Sequence, residues 1–230
     1  MEAPRALAIF EELKRNLKRP ELPSIFKDPF QVLVITIISQ NTNDRNTLRA
    51  YQRLEARGLI TPKAILEADL KELQEALKIA GLYRNKAKKL KELATILLEA
   101  HGGDLWNILR LPLEDAREQL LKLPGVGLKT ADVLLLFCAG KPVIPVDTHV
   151  NRTAKRLGLA DYKADYEEVR RSLQNLYPPE HYLDVHLLLI SLGRTYCKAG
   201  RPLCDECPLR NLCPTANAMK KLNASTCLLE

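Results

Sequence analysis

Apolar residues return at helical spacing along much of this chain. Between residues 5 and 17, Leu7, Ile9, Phe10, Leu13 and Leu17 fall on one side, which predicts a first helix. The run Val32 to Ile38 is β-branched enough to read as a strand on propensity alone. A single strand with no partner does not suit a chain that is otherwise helical, so a buried helix is expected over residues 30–39. Thr61-Pro62 supplies a cap followed by an N1 proline, and Asp69 with Glu72 resembles a capping box ahead of another periodic stretch. Further helices are expected over 44–57, 86–100, 114–122, 128–139, 148–157, 165–176 and 180–196. No low-complexity tract, long linker or fixed-period repeat interrupts them, and the predicted fold class is all-α.

Composition agrees with that reading. Apolar residues make up 46% of the 230 positions, aromatics only 5%, and there are ten glycines. A chain of this length buries a core without needing disulfides. Lys and Arg exceed Asp and Glu by 35 to 28, a net charge of +7, which suits a polyanionic partner without identifying one. The start lacks the pattern of a secretory signal, and the longest apolar stretch, 133–139, is too short to span a bilayer. The expectation is a soluble, cytoplasmic, nucleoid-associated monomer with no membrane partner. Four of the six cysteines crowd into one C-terminal stretch, which in a reducing compartment argues for metal ligation over disulfides. The acceptor-like triplet Asn223-Ala224-Ser225 is then a chance match.

Two motifs carry chemistry. The first is Leu123-Pro124-Gly125-Val126-Gly127-Leu128-Lys129-Thr130, a tight turn between two amphipathic helices. Its glycines permit positive φ and leave no Cβ in the way, so backbone N–H groups reach a phosphate oxygen at the positive end of the next helix. Gly125, Val126, Gly127 and Thr130 are the candidate DNA contacts. An ordinary helical corner also uses glycine to turn, so the wider context decides. Lys129 lies in the first helical turn, where a cation is electrostatically misplaced. With partial burial, its amine is expected to be neutral and able to attack carbon.

The second motif, Val146-Asp147-Thr148-His149, follows the stiff approach Pro142 to Pro145. Asp147 serves as an N-cap whatever else it does. Facing a neutral amine, its carboxylate also stabilises positive charge on a sugar and accepts a proton. His149 is assigned no chemistry. Cys197, Cys204, Cys207 and Cys213 form C-x6-C-x2-C-x5-C, a four-thiolate set suited to zinc or to an iron-sulfur cluster, although zinc ribbons usually carry two C-x2-C knuckles. Lys198, Arg201 and Arg210 stand between them and are candidates for phosphate contact. Cys138 reads as a packed small hydrophobe, and Cys227 as a free thiol.

Together the hairpin and the Val-Asp-Thr-His segment resemble the endonuclease III family of helix-hairpin-helix DNA glycosylases. Gly81-Leu82-Tyr83 and Asn85-Lys86-Ala87 extend the resemblance over nearly the whole chain. It implies a bifunctional base-excision glycosylase and abasic-site lyase for oxidised pyrimidines, acting on double-stranded DNA with a damaged base or abasic site. Lys129 would form a Schiff base at C1′ that drives β-elimination, with Asp147 assisting. The resemblance also implies a [4Fe-4S] cluster on the four cysteines. It implies that Leu82 and a glutamine fill the gap left by the extruded base. Ser39-Gln40-Asn41-Thr42-Asn43-Asp44 departs from the family's usual register, so either Gln40 or Asn41 takes that place. A six-helix barrel domain with the hairpin is expected over 27–141, and a cluster domain over 1–26 plus 142–230. The rival readings are a monofunctional mismatch glycosylase of the same fold, against which Lys129 argues, and a non-catalytic hairpin module.

Overall fold

The computed structural model describes residues 3–21 and 27–218. Among these, every regular element is helical, and no helix is long and apolar enough to cross a membrane. The chain divides into two compact units, Leu22–Lys141 and the combination of Met1–Glu21 with Pro142–Glu230.

The Leu22–Lys141 unit begins with α2 (Pro29–Ser39), the segment with strand-like propensity. Asp28 caps it by accepting from the N–H groups of Phe30 and Gln31, and Pro29 at N1 has no N–H to leave unsatisfied. Val32, Leu33, Val34, Ile37 and Ile38 are all buried, so packing overrides intrinsic propensity. On this helix pack α3 (Asp44–Glu55) and α6 (Tyr83–His101), and on those in turn α4 (Pro62–Glu67) against α6 and α5 (Leu70–Leu77) against both. Leu54, Ile65, Leu73, Leu77, Leu90 and Leu93 are fully enclosed. Thr61 caps α4 as expected, but Asp69 caps α5 by accepting from Lys71 N at 2.7 Å, so the Glu72 capping box does not form.

After the short α7 (Trp106–Leu109) come α8 (Leu113–Leu121) and α9 (Leu128–Val133), the two arms of the glycine hairpin. The helix expected over 128–139 widens into a π-helical turn at Leu134–Cys138. Cys138 is half-buried there, and burial with the nearby Asp28 carboxylate pushes its thiol up to about 12, so it behaves as the inert hydrophobe expected.

In the other unit α1 (Ala3–Asn16) buries Ala6, Ile9, Phe10 and Leu13, and packs on α11 (Tyr166–Leu176) and α12 (Tyr182–Thr195). Leu7 points outward, 42% exposed. The Arg5 guanidinium donates to the carbonyls of Leu157 and Leu212 at 3.0 and 2.7 Å, fastening α1 to distant parts of the chain. A capping box of Asp165 with Glu168 opens α11. The tightest pairing joins α12 to α10 (Thr148–Arg156) at Gly193, where an added Cβ would stand 2.9 Å from His149 Nδ1 and 3.1 Å from an Arg152 nitrogen. Cys227 and the 223–225 triplet lie outside the described residues.

Candidate active site and metal centre

The hairpin's two glycines differ in what they do. Gly125 takes φ +81°, a shape L side chains rarely adopt, and a Cβ there would meet Ile37 Cγ1 at 3.2 Å. Gly127 has φ −103° and no atom near its missing side chain, so positive φ is needed at only one of them. Gly127 is the N-cap of α9 and has no side chain to cap it, which leaves the first N–H groups of the helix for an outside acceptor. Val126 and Thr130 are each 8% exposed. Their side chains are therefore packed inward, and what they offer a ligand is backbone.

Lys129 is exposed at the second position of α9, so the partial burial expected for its amine is absent from the chain alone. Close by in sequence lies a feature the charge pattern did not reveal. Asp132, fully buried on the same helix, receives the Arg117 guanidinium of α8 through Nε to Oδ1 at 2.6 Å and a second nitrogen to Oδ2 at 3.3 Å. This two-point ion pair ties the arms of the hairpin together.

Gln40 ends α2 half-buried, and its amide is engaged at both ends: Nε2 donates to the Gly125 carbonyl at 3.1 Å, and Oε1 accepts from Lys89 at 3.3 Å. The next residue, Asn41, is exposed at φ +55°. Leu82, 56% exposed at φ +47°, shares that conformation, and among the described residues these are the two non-glycine positions with positive φ.

In the other unit, Asp147 is half-buried and caps α10, accepting from Val150 N through Oδ1 at 2.7 Å. The strand-like approach is fixed on both sides of it: Val143, Ile144 and Val146 are buried, and the Pro145 carbonyl accepts from His186 Nδ1 at 2.9 Å. His149 packs against Gly193, with Arg152 3.1 Å from its Nδ1.

Cys197, Cys204, Cys207 and Cys213 are all half-buried and line one cavity floored by Leu157, Leu192 and Leu203. Burial, and the proximity of the other three sulfurs, pushes Cys207 up to about 11, and Cys204 is raised for the same reasons. Four sulfur ligands gathered in one apolar pocket, two of them with thiols raised by burial and by neighbouring sulfurs, fit a site neutralised by metal. Among the described residues no three such donors gather about a point suited to a single ion. The loop is braced by arginines: Arg152 Nε donates to the Cys197 carbonyl at 2.8 Å, and Arg156 to those of Lys198 and Ala199 at 2.7 and 3.0 Å. Lys198 and Arg201 are exposed, whereas Arg210 pairs with Asp205 at 3.2 Å and is partly committed.

Comparison with known proteins fits this picture. Residues 34–179 match the family described as HhH-GPD superfamily base excision DNA repair protein, and residues 197–213 match the iron-sulfur binding domain of endonuclease III. Endonuclease III of Thermotoga maritima is 39% identical over 207 residues, covering 89% of this chain and 92% of that protein. The Bacillus subtilis enzyme of the same name is 39% identical over 84% of each chain. A solved structure of a trapped endonuclease III–DNA covalent intermediate superimposes with a TM-score of 0.79 at 31% identity, over 96% of this chain and 99% of that one. The chain therefore belongs to the endonuclease III family of helix-hairpin-helix base-excision repair enzymes, and is a DNA glycosylase and abasic-site lyase with a [4Fe-4S] cluster.

Proposed function

We propose that Lys129 is the nucleophile of this glycosylase and lyase, that Asp147 assists it, and that the substrates are oxidised pyrimidines in double-stranded DNA. The observation that carries the reading is an exposed lysine one residue into a helix whose N-cap is an uncapped hairpin glycine. The N–H groups that the hairpin leaves free at the start of α9 bind a DNA phosphate, with Gly125 and Gly127 letting the backbone approach, Thr130 contributing main chain, and Val126, whose N–H donates to the Leu123 carbonyl at 3.1 Å, lying against the ligand within the turn. That contact brings deoxyribose to Lys129. Bound duplex also supplies the desolvation that the exposed amine lacks in the chain alone.

The Lys129 amine, once deprotonated, adds to C1′ as the glycosidic bond breaks, and the base departs with the bonding electron pair and takes up a proton. Asp147 has Oδ2 free of the capping bond, and it stabilises the positive charge on the sugar and accepts the proton released by the attacking nitrogen. Opening of the sugar ring gives an imine; loss of a C2′ proton then expels the 3′ phosphate, and water releases the enzyme. The trapped covalent endonuclease III–DNA complex to which the chain is similar supports a covalent route.

Extruding a nucleotide costs about a few kcal/mol and leaves a gap to fill. Leu82 and Asn41 fill it: both are exposed, and both stand at positive φ in the turns beside α6 and α2. Gln40 does not, because its amide is already bonded to Gly125 and Lys89. Cys197, Cys204, Cys207 and Cys213 hold the cluster, which when bound cross-links the loop through four Fe–S bonds and leaves the sugar chemistry to Lys129.

A panel of duplexes, each with one lesion, tests the reading. Wild type should release an oxidised pyrimidine and cut the strand, and Lys129→Gln should do neither at more than about a hundredth of that rate. Base release without strand cutting by wild type would favour the monofunctional rival. Neither activity would favour a binding module.

A further inference from the structure

Lys86 is a buried cation that the chemistry above does not use. It lies in the first turn of α6, 3% exposed, and its Nζ donates to the Ala80 carbonyl at 2.7 Å. Ala80 immediately precedes Gly81 and Leu82, which run at φ +65°, ψ 162° and φ +47°, ψ 29° before the helix begins. A leucine is poorly suited to the left-handed region, and Leu82 has no side-chain cap to hold it there. An ammonium buried near a helix N-terminus is itself unfavourable, so its hydrogen bond must matter to the local structure. That bond spans the turn: the side chain of the fourth helical residue reaches back past Leu82 to the carbonyl two residues before it. Burial also lowers the Lys86 pKa from its ordinary value, consistent with a site shielded from water.

We propose that Lys86 is a positioning residue for base extrusion, its ammonium pinning the Ala80 carbonyl so that the Gly81–Leu82 turn presents Leu82 to the duplex. This rests on reading Leu82 as the residue that enters the duplex gap. Methionine keeps most of the buried stem and removes the donor, so Lys86→Met isolates the bond. Arginine keeps a charged donor.

The test is a double-mutant cycle on the full chain with its cluster, using Leu82→Ala, Lys86→Met and the double variant. Single-turnover rates are measured on a lesion in duplex and on an abasic site in a single strand, where no gap must be filled. Lys86→Met should slow the duplex reaction about tenfold, leave the single-strand reaction within about twofold, and add nothing in the Leu82→Ala background. Lys86→Arg should restore most of the duplex rate. Equal slowing on both substrates, an unchanged duplex rate, or full additivity with Leu82→Ala overturns the Lys86 proposal. An unchanged duplex rate in Leu82→Ala itself overturns the gap-filling reading and the proposal with it. Should Lys86→Met lose its helical circular dichroism, Lys86→Leu, which likewise carries no donor, takes its place in the cycle under the same criteria.

Discussion

Two turns in the Leu22–Lys141 unit are each propped from beneath by a buried cation, and they are propped differently. Under the Gly125 hairpin, Arg117 meets a carboxylate, Asp132, in a two-point ion pair that joins α8 to α9. Under the Leu82 turn, Lys86 meets, among the described residues, a backbone carbonyl. The hairpin is fixed by charge compensated inside the protein and by glycine where φ demands it. The Leu82 turn places a leucine where glycine would be easier, held by a single neutral acceptor. A grip on phosphate must be rigid, whereas a residue that enters the duplex only at the lesion needs a turn that can yield. The two anchors match the duties proposed for these turns.

Breaking the hairpin anchor should have the largest effect. Asp132→Ala removes the carboxylate that meets the buried Arg117 guanidinium, and the unfolding free energy in urea should fall by about 3–5 kcal/mol. The double replacement Arg117→Met with Asp132→Leu should recover much of that loss, because the cost lies in burying a charge that has lost its counter-ion rather than in the missing bond. If Asp132→Ala melts like wild type, the hairpin is not anchored this way.

Next comes the turn above that anchor. Gly125→Ala forces a Cβ into the left-handed region against Ile37, so stability should drop by about 1–2 kcal/mol. Salt-dependent binding to undamaged duplex should weaken with it. Gly127→Ala, where φ is ordinary and no atom lies close, sharpens the contrast and should change stability by less than about 1 kcal/mol.

The smallest effect is expected at the second turn. Leu82→Gly relieves the left-handed strain and should leave stability within about 1 kcal/mol of wild type, even as duplex activity falls. A marked loss of stability would mean that Leu82 is core after all.

How far the sequence reveals these features depends on whether they are local. The helices, the caps at Thr61 and Asp147, and the hairpin are legible because spacing and cap chemistry act within a few residues. Even α2 is legible despite its β-branched run, since a strand without a partner has nowhere to place its hydrogen bonds. The Arg117–Asp132 pair is not legible: each charge alone looks like a solvated helix face, and only the fold of the hairpin brings the two together. The bond that engages Gln40 is hidden for the same reason, because its partner Gly125 lies 85 positions away. The π turn at Leu134–Cys138 leaves the apolar pattern of its segment unchanged, so periodicity passes over it. The exposure of Lys129 was likewise hidden, since neighbours at helical spacing indicate a packed face but not which residues stand outside it.

The central claim concerns one amine. The most direct measurement is borohydride reduction of the enzyme on abasic duplex DNA, followed by proteolysis and mass mapping of the cross-linked peptide. The adduct should map to the peptide containing Lys129 and vanish in Lys129→Gln with its fold intact. A deoxyribose adduct on another lysine or on the N-terminus, persisting in Lys129→Gln, would contradict the account.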